Sequence, residues 1–81
     1  MHILVSSMNP LRAARKRGKL TQRELASLVG VTQAHISAVE NRVDRASAEL
    51  AEKLVKAIGR HAISEEEILY PERFEAPKDI F

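Results

Sequence analysis

The sequence of 81 residues predicts an all-α fold, a compact domain of five short helices. Three observations predict it. Apolar residues recur at helical spacing, most clearly at Leu50, Leu54, Val55 and Ile58. Each run is preceded by a residue that caps helices: Asn9, Thr21, Thr32, Ser47 and Ser64. Gly18, Gly30, Gly59 and Pro71 stand where runs must stop.

Asn9-Pro10 opens the first helix, because proline lacks only an N–H that has no partner in a first turn. This helix runs to about Arg17, with Gly18 expected as a left-handed stop. Leu11, Ala14 and Leu20 face inward, and Arg12, Arg15, Lys16, Arg17 and Lys19 face out. Thr21 and Glu24 form a capping box for the second helix, with Leu20 and Leu25 at staple spacing. Gly30 ends it, since glycine takes positive φ at no steric cost. Thr32 caps a third helix from Gln33 to about Asn41, with Ile36 and Val39 inward. A polar loop, 41–46, follows, in which Val43 is a candidate core plug. Ser47 caps the fourth helix, which reaches about Ile58. Ser64 and Glu67 box the start of a short fifth helix carrying Ile68 and Leu69. Residues 1–8 read as an N-terminal arm, 9–70 as the domain and 71–81 as a tail.

A domain this small buries only about 60% of its unfolded surface, so self-association is expected. There is no Cys, which excludes disulfides, thiolate metal sites and a Cys nucleophile. No apolar run approaches the ~18 residues of a membrane span, and Ile3-Leu4-Val5 is too short for a secretory core. A cytoplasmic protein without membrane contact is the expectation. The net charge of +2 conceals an asymmetry: residues 1–45 carry +5 and residues 46–81 carry −3. A basic half suggests a polyanion partner, although solvated surfaces are often lopsided.

The second and third helices are joined by Gly30-Val31-Thr32 alone, which serves as stop, turn and cap together. So tight a joint forces a large crossing angle, the geometry of a helix-turn-helix at 21–41. Ala26 is the small residue needed where the two helices meet. Leu25, Val29, Val31, Ile36 and Val39 supply the apolar contacts to a core.

Residues 20–41, LTQRELASLVGVTQAHISAVEN, resemble the helix-turn-helix of phage repressor and Cro proteins, the XRE family. The likeness includes both caps, Gln22, Ala26, Gly30-Val31 and the Ile36-Ser37-x-x-Glu40 run, and extends loosely over Pro10 to Leu69. It implies a compact five-helix, phage-repressor-like DNA-binding domain. It also implies that Gln33, first in the recognition helix, contacts a base edge, as Gln can pair bidentately with adenine. Ala34, His35, Ser37 and Ala38 complete the expected base-facing set. The resemblance assigns phosphate contacts to Gln22 and Asn41. Arg12, Arg15, Lys16, Arg17, Lys19, Arg23, Arg42 and Arg45 are basic candidates for the same role, which positions without reading sequence. The loop after the third helix lacks the family's frequent Gly and Pro.

The expected partner is double-stranded DNA, bound as a homodimer or higher homo-oligomer. Ile68, Leu69, Tyr70, Phe74, Ile80 and Phe81 are candidate interface residues, for a second copy or for another protein partner. No cofactor or metal is expected, because His2, His35 and His61 are too scattered for a ligand set. Glu65-Glu66-Glu67 is explained by the helix dipole. Glu40 is expected to be structural, paired with a basic residue near the second helix. Ser37 has no base beside it, and the chain does not read as an enzyme.

Overall fold

The computed structural model describes residues 9–74. Ile80, Phe81 and the arm 1–8 lie outside the described residues. Five helices follow in order: α1 Pro10–Arg17, α2 Gln22–Val29, α3 Gln33–Glu40, α4 Ala48–Ile58 and α5 Glu65–Leu69. A single 3₁₀ turn, Pro71–Arg73, closes the described chain.

The caps form as the sequence predicts. Asn9 accepts from the backbone N–H groups of Leu11 and Arg12, at 2.8 and 3.3 Å. Thr21 with Glu24, and Ser64 with Glu67, make reciprocal capping boxes. Thr32 and Ser47 each accept from the N–H three residues on. Together they satisfy donors that helix starts leave without partners.

The expected apolar faces meet in one core. Leu11, Leu25, Ile36, Leu54 and Val55 are its largest fully buried side chains. Ala46, Ala51, Ile63 and Pro71 join them in the interior. Four expectations need correction. Gly18 keeps φ −82°, and the left-handed residue is Lys19, at φ 60°. The turn comes one residue later because the Leu20 carbonyl is held at 2.7 Å by the Arg15 guanidinium. Val43 is 80% exposed, so it plugs nothing. The loop turns at Arg42, φ 60°, and the Val43 and Asp44 N–H groups both bond the Ala38 carbonyl. Ile68 is 3% exposed and belongs to the core, which withdraws it from any interface. Arg15, expected outside, is 7% exposed. Its place beside Leu11 and Ala14 on the buried stripe of α1 carries it inward, where Glu40 neutralises it.

Candidate nucleic-acid interface

The site is built upward from the α2–α3 joint. Gly30 adopts φ 77°, ψ 32°, and its N–H bonds the Ala26 carbonyl at 2.8 Å. Val31 bonds the same carbonyl at 3.0 Å. The chain therefore reverses within three residues, and Ala26, 3% exposed, lets α3 pack on α2. This is the turn predicted from Gly30-Val31-Thr32.

A buried ionic cluster braces the two helices. The Arg15 Nε donates to Glu40 Oε2 at 2.6 Å and its second terminal nitrogen to Oε1 at 3.2 Å. Glu40 is structural as expected, and its ionic partner, Arg15 of α1, also reaches the Leu20 carbonyl at the start of α2. From α2, the Gln22 amide donates to Glu40 Oε1 at 3.0 Å. Gln33 in turn approaches the Gln22 carbonyl oxygen at 3.5 Å. One carboxylate thus ties α1 to the end of α3, and through Gln22 to the start of α3.

At about 100° per residue, buried Ile36, Val39 and Glu40 define the inner side of α3. Ala34, Ser37, Ala38 and Asn41 fall on the outer side, with Ala34 and Asn41 exposed and Ser37 and Ala38 half-buried. These side chains are short, so a groove wall can come close to the backbone. Gln33 and His35 flank this strip. Gln33 leans toward α2, bordering one cleft with Gln22 and Arg23. His35 leans the other way, its Nδ1 3.7 Å from Asp44.

The predicted phosphate-contacting residues spread more widely. Lys19 and Arg23 are exposed around the start of α2, and Arg12 and Lys16 share an exposed face of α1. Gln22 is half-buried and keeps one amide hydrogen beyond its bond to Glu40. Asn41 turns its amide onto its own helix, donating to the Ser37 carbonyl at 2.9 Å. Arg42 is exposed at the left-handed turn. Arg45 points elsewhere: it donates to the Leu69 carbonyl at 2.9 Å and pairs with Glu72 at 3.7 Å, tying the loop to α5 and the 3₁₀ turn. Leu69 packs against the core, whereas Tyr70 and Phe74 are 43% and 44% exposed. Arg73 stacks over the Tyr70 ring at 4.6 Å.

Arg15, a candidate phosphate contact in the sequence, instead braces the site from within, buried and paired with Glu40, and Asp44 beside His35 was missed. Arg15 was legible in its spacing from Leu11. Asp44 was not, since only the loop's path brings it to His35.

Exposed short side chains on a second, capped helix, with its partner braced behind, define a helix-turn-helix DNA-binding domain. The helix-turn-helix family model matches residues 11–62. The chain belongs to this family, the XRE/Cro type of helix-turn-helix DNA-binding regulators. No curated protein and no solved structure matches it. Among the described residues, no helix is long and apolar enough to cross a membrane. No group of three His, Asp or Glu among them could hold a metal ion.

Proposed function

We propose that this regulator is a transcriptional repressor of phage or mobile-element type, acting in the cytoplasm on a pseudo-palindromic operator as a homodimer. The exposed, short-chained strip of α3 carries the proposal. Gln33, Ala34, His35, Ser37 and Ala38 meet base edges in the major groove. Gln33 suits adenine, and the alanines suit the methyl group of thymine. Gln22, Lys19, Arg23 and Arg42 hold phosphates around the helix ends, and Arg12 and Lys16 extend the basic surface. Asn41 joins them only when its amide leaves Ser37. Arg45 serves the fold, since its guanidinium is engaged at α5. Two copies would set their recognition helices about 34 Å apart, in successive major grooves. Repression follows from occluding polymerase.

Exposed Tyr70 and Phe74 favour the end of the domain near residues 70–74 as the dimer contact, with Leu69 at its edge. The same apolar end supports a second reading, an antitoxin-like module that neutralises a partner protein. Selection from a random DNA pool separates the two. The repressor reading expects a two-fold symmetric consensus with half-sites one helical turn apart. Enrichment of no sequence contradicts it. On the selected duplex, Gln33→Ala costs about 1–3 kcal/mol and relaxes one position of each half-site, read by competition binding.

A further inference from the structure

A cleft of about 530 Å³ separates the loop that leaves α3 from the turn that follows α5. Val39, Ala46 and Ile68 give it an apolar lining. Arg45 stands on one wall and spans to the other. One terminal nitrogen donates to the Leu69 carbonyl at 2.9 Å, and the other lies 3.7 Å from the Glu72 carboxylate. The hydrogen bond is the link that counts, since an exposed ion pair at the longer distance adds little. Leu69 is the last residue of α5, so its carbonyl has no partner within the helix.

Each wall is fastened on its own side. In the loop, the Arg42 N–H bonds the Val39 carbonyl at 3.1 Å. The Val43 and Asp44 N–H groups bond the Ala38 carbonyl at 2.9 and 3.2 Å. The Asp44 side chain accepts from the Arg45 N–H at 3.0 Å. In the turn, the Tyr70 N–H bonds the Glu66 carbonyl at 2.9 Å, and Arg73 reaches the Glu66 carboxylate at 3.2 Å. Arg45 thus joins an extension of the recognition helix to the segment that carries the exposed Tyr70 and Phe74 rings.

We propose that Arg45 is a positioning residue that sets the spacing of the two operator half-sites. In a two-fold dimer formed through residues 70–74, that spacing follows from the offset between α3 and the turn. The dyad counts the offset twice. A displacement of about 1.7 Å in each copy, along the DNA axis, therefore moves the half-sites by about 3.4 Å, the rise of one base pair. One side chain bridging a cleft acts on that scale. A helix cap alone would stabilise α5 and leave the spacing unchanged. A direct phosphate contact would alter affinity for every duplex and also leave the spacing unchanged. The inference rests on the homodimer reading and adds to it the residue that sets its geometry.

The test applies selection from a random DNA pool to the full chain as wild type, Arg45→Met and Arg45→Lys. Lysine keeps a donor for the Leu69 carbonyl, whereas methionine keeps only an apolar stem. Each protein is also titrated by fluorescence anisotropy against a duplex holding one wild-type half-site. Wild type is expected to select paired half-sites at one spacing. Arg45→Met is expected to select the same half-site with its spacing spread over neighbouring values, and Arg45→Lys to restore the wild-type spacing. Half-site affinity of Arg45→Met should stay within about twofold of wild type at roughly 0.15 M salt, where a charge that does not touch the duplex is screened. An unchanged single spacing for Arg45→Met overturns the proposal. So does a larger loss of half-site affinity, which marks a DNA contact or a failure to fold. Unpaired half-sites from the wild type defeat the homodimer reading itself, and are told apart by that.

Discussion

At the scale of the residue, the buried Arg15–Glu40 pair is the costliest group to disturb. Both side chains are nearly removed from water, and the carboxylate also accepts from Gln22. Removing one partner leaves an uncompensated charge, a loss typically of about 3–5 kcal/mol. Arg15→Ala should therefore lower the urea midpoint sharply, and a domain of this size has little stability to lose. Unchanged unfolding would show that the pair contributes nothing. Lys19 makes an opposite case. It occupies φ 60°, a conformation that penalises a side chain and spares glycine. Lys19→Gly should raise stability by about 0.5–1 kcal/mol while weakening duplex binding at low salt, because a cation is lost at the start of α2. Thermal melts and anisotropy read the two effects separately.

At the scale of the element, all five helices were legible, and the reason is local. Each begins at a side chain that bonds the N–H two or three residues on, and such bonds are written in adjacent residues. The α2–α3 turn was legible for the same reason, through Gly30 at φ 77°. No atom lies within 4 Å of where a Gly30 Cβ would stand, so only backbone strain opposes a side chain there. Gly30→Ala should cost about 1 kcal/mol in denaturant unfolding, and a much larger loss would point to a steric role. The loops were less legible. Gly18 looked like the left-handed residue, yet the Arg15 contact to Leu20 moves the turn to Lys19, and that contact depends on the tertiary fold. Arg42 takes the left-handed place in the loop after α3, and Val43 is left in solvent. In the candidate site, helical periodicity gave the inward residues Ile36 and Val39, and the family resemblance implied the base-facing set on α3. Its flanking contacts, Gln33 to Gln22 and His35 to Asp44, span 11 and 9 residues and depend on how helices cross.

At the scale of the whole molecule, the described surface carries two patches of different chemistry. One presents the start of α2, the outer strip of α3 and exposed Lys19 and Arg23. The other presents Tyr70 and Phe74 beside Arg73 and Glu66, which pair at 3.2 Å. A small domain gains from covering such rings with a second copy. Phe74→Ser should shift sedimentation toward monomer and weaken operator affinity, without lowering the monomer's unfolding midpoint. An unaltered oligomer distribution would move the contact elsewhere on the surface.

The central claim is that the outer face of α3 enters the DNA groove. Amide chemical-shift mapping during titration with duplex DNA at low salt tests it most directly. The account predicts the largest shifts at Gln33, Ala34, Ser37 and Ala38, with a second group at Gln22 and Arg23. Shifts confined to residues 69–74, with the α3 amides unmoved at saturation, would contradict it.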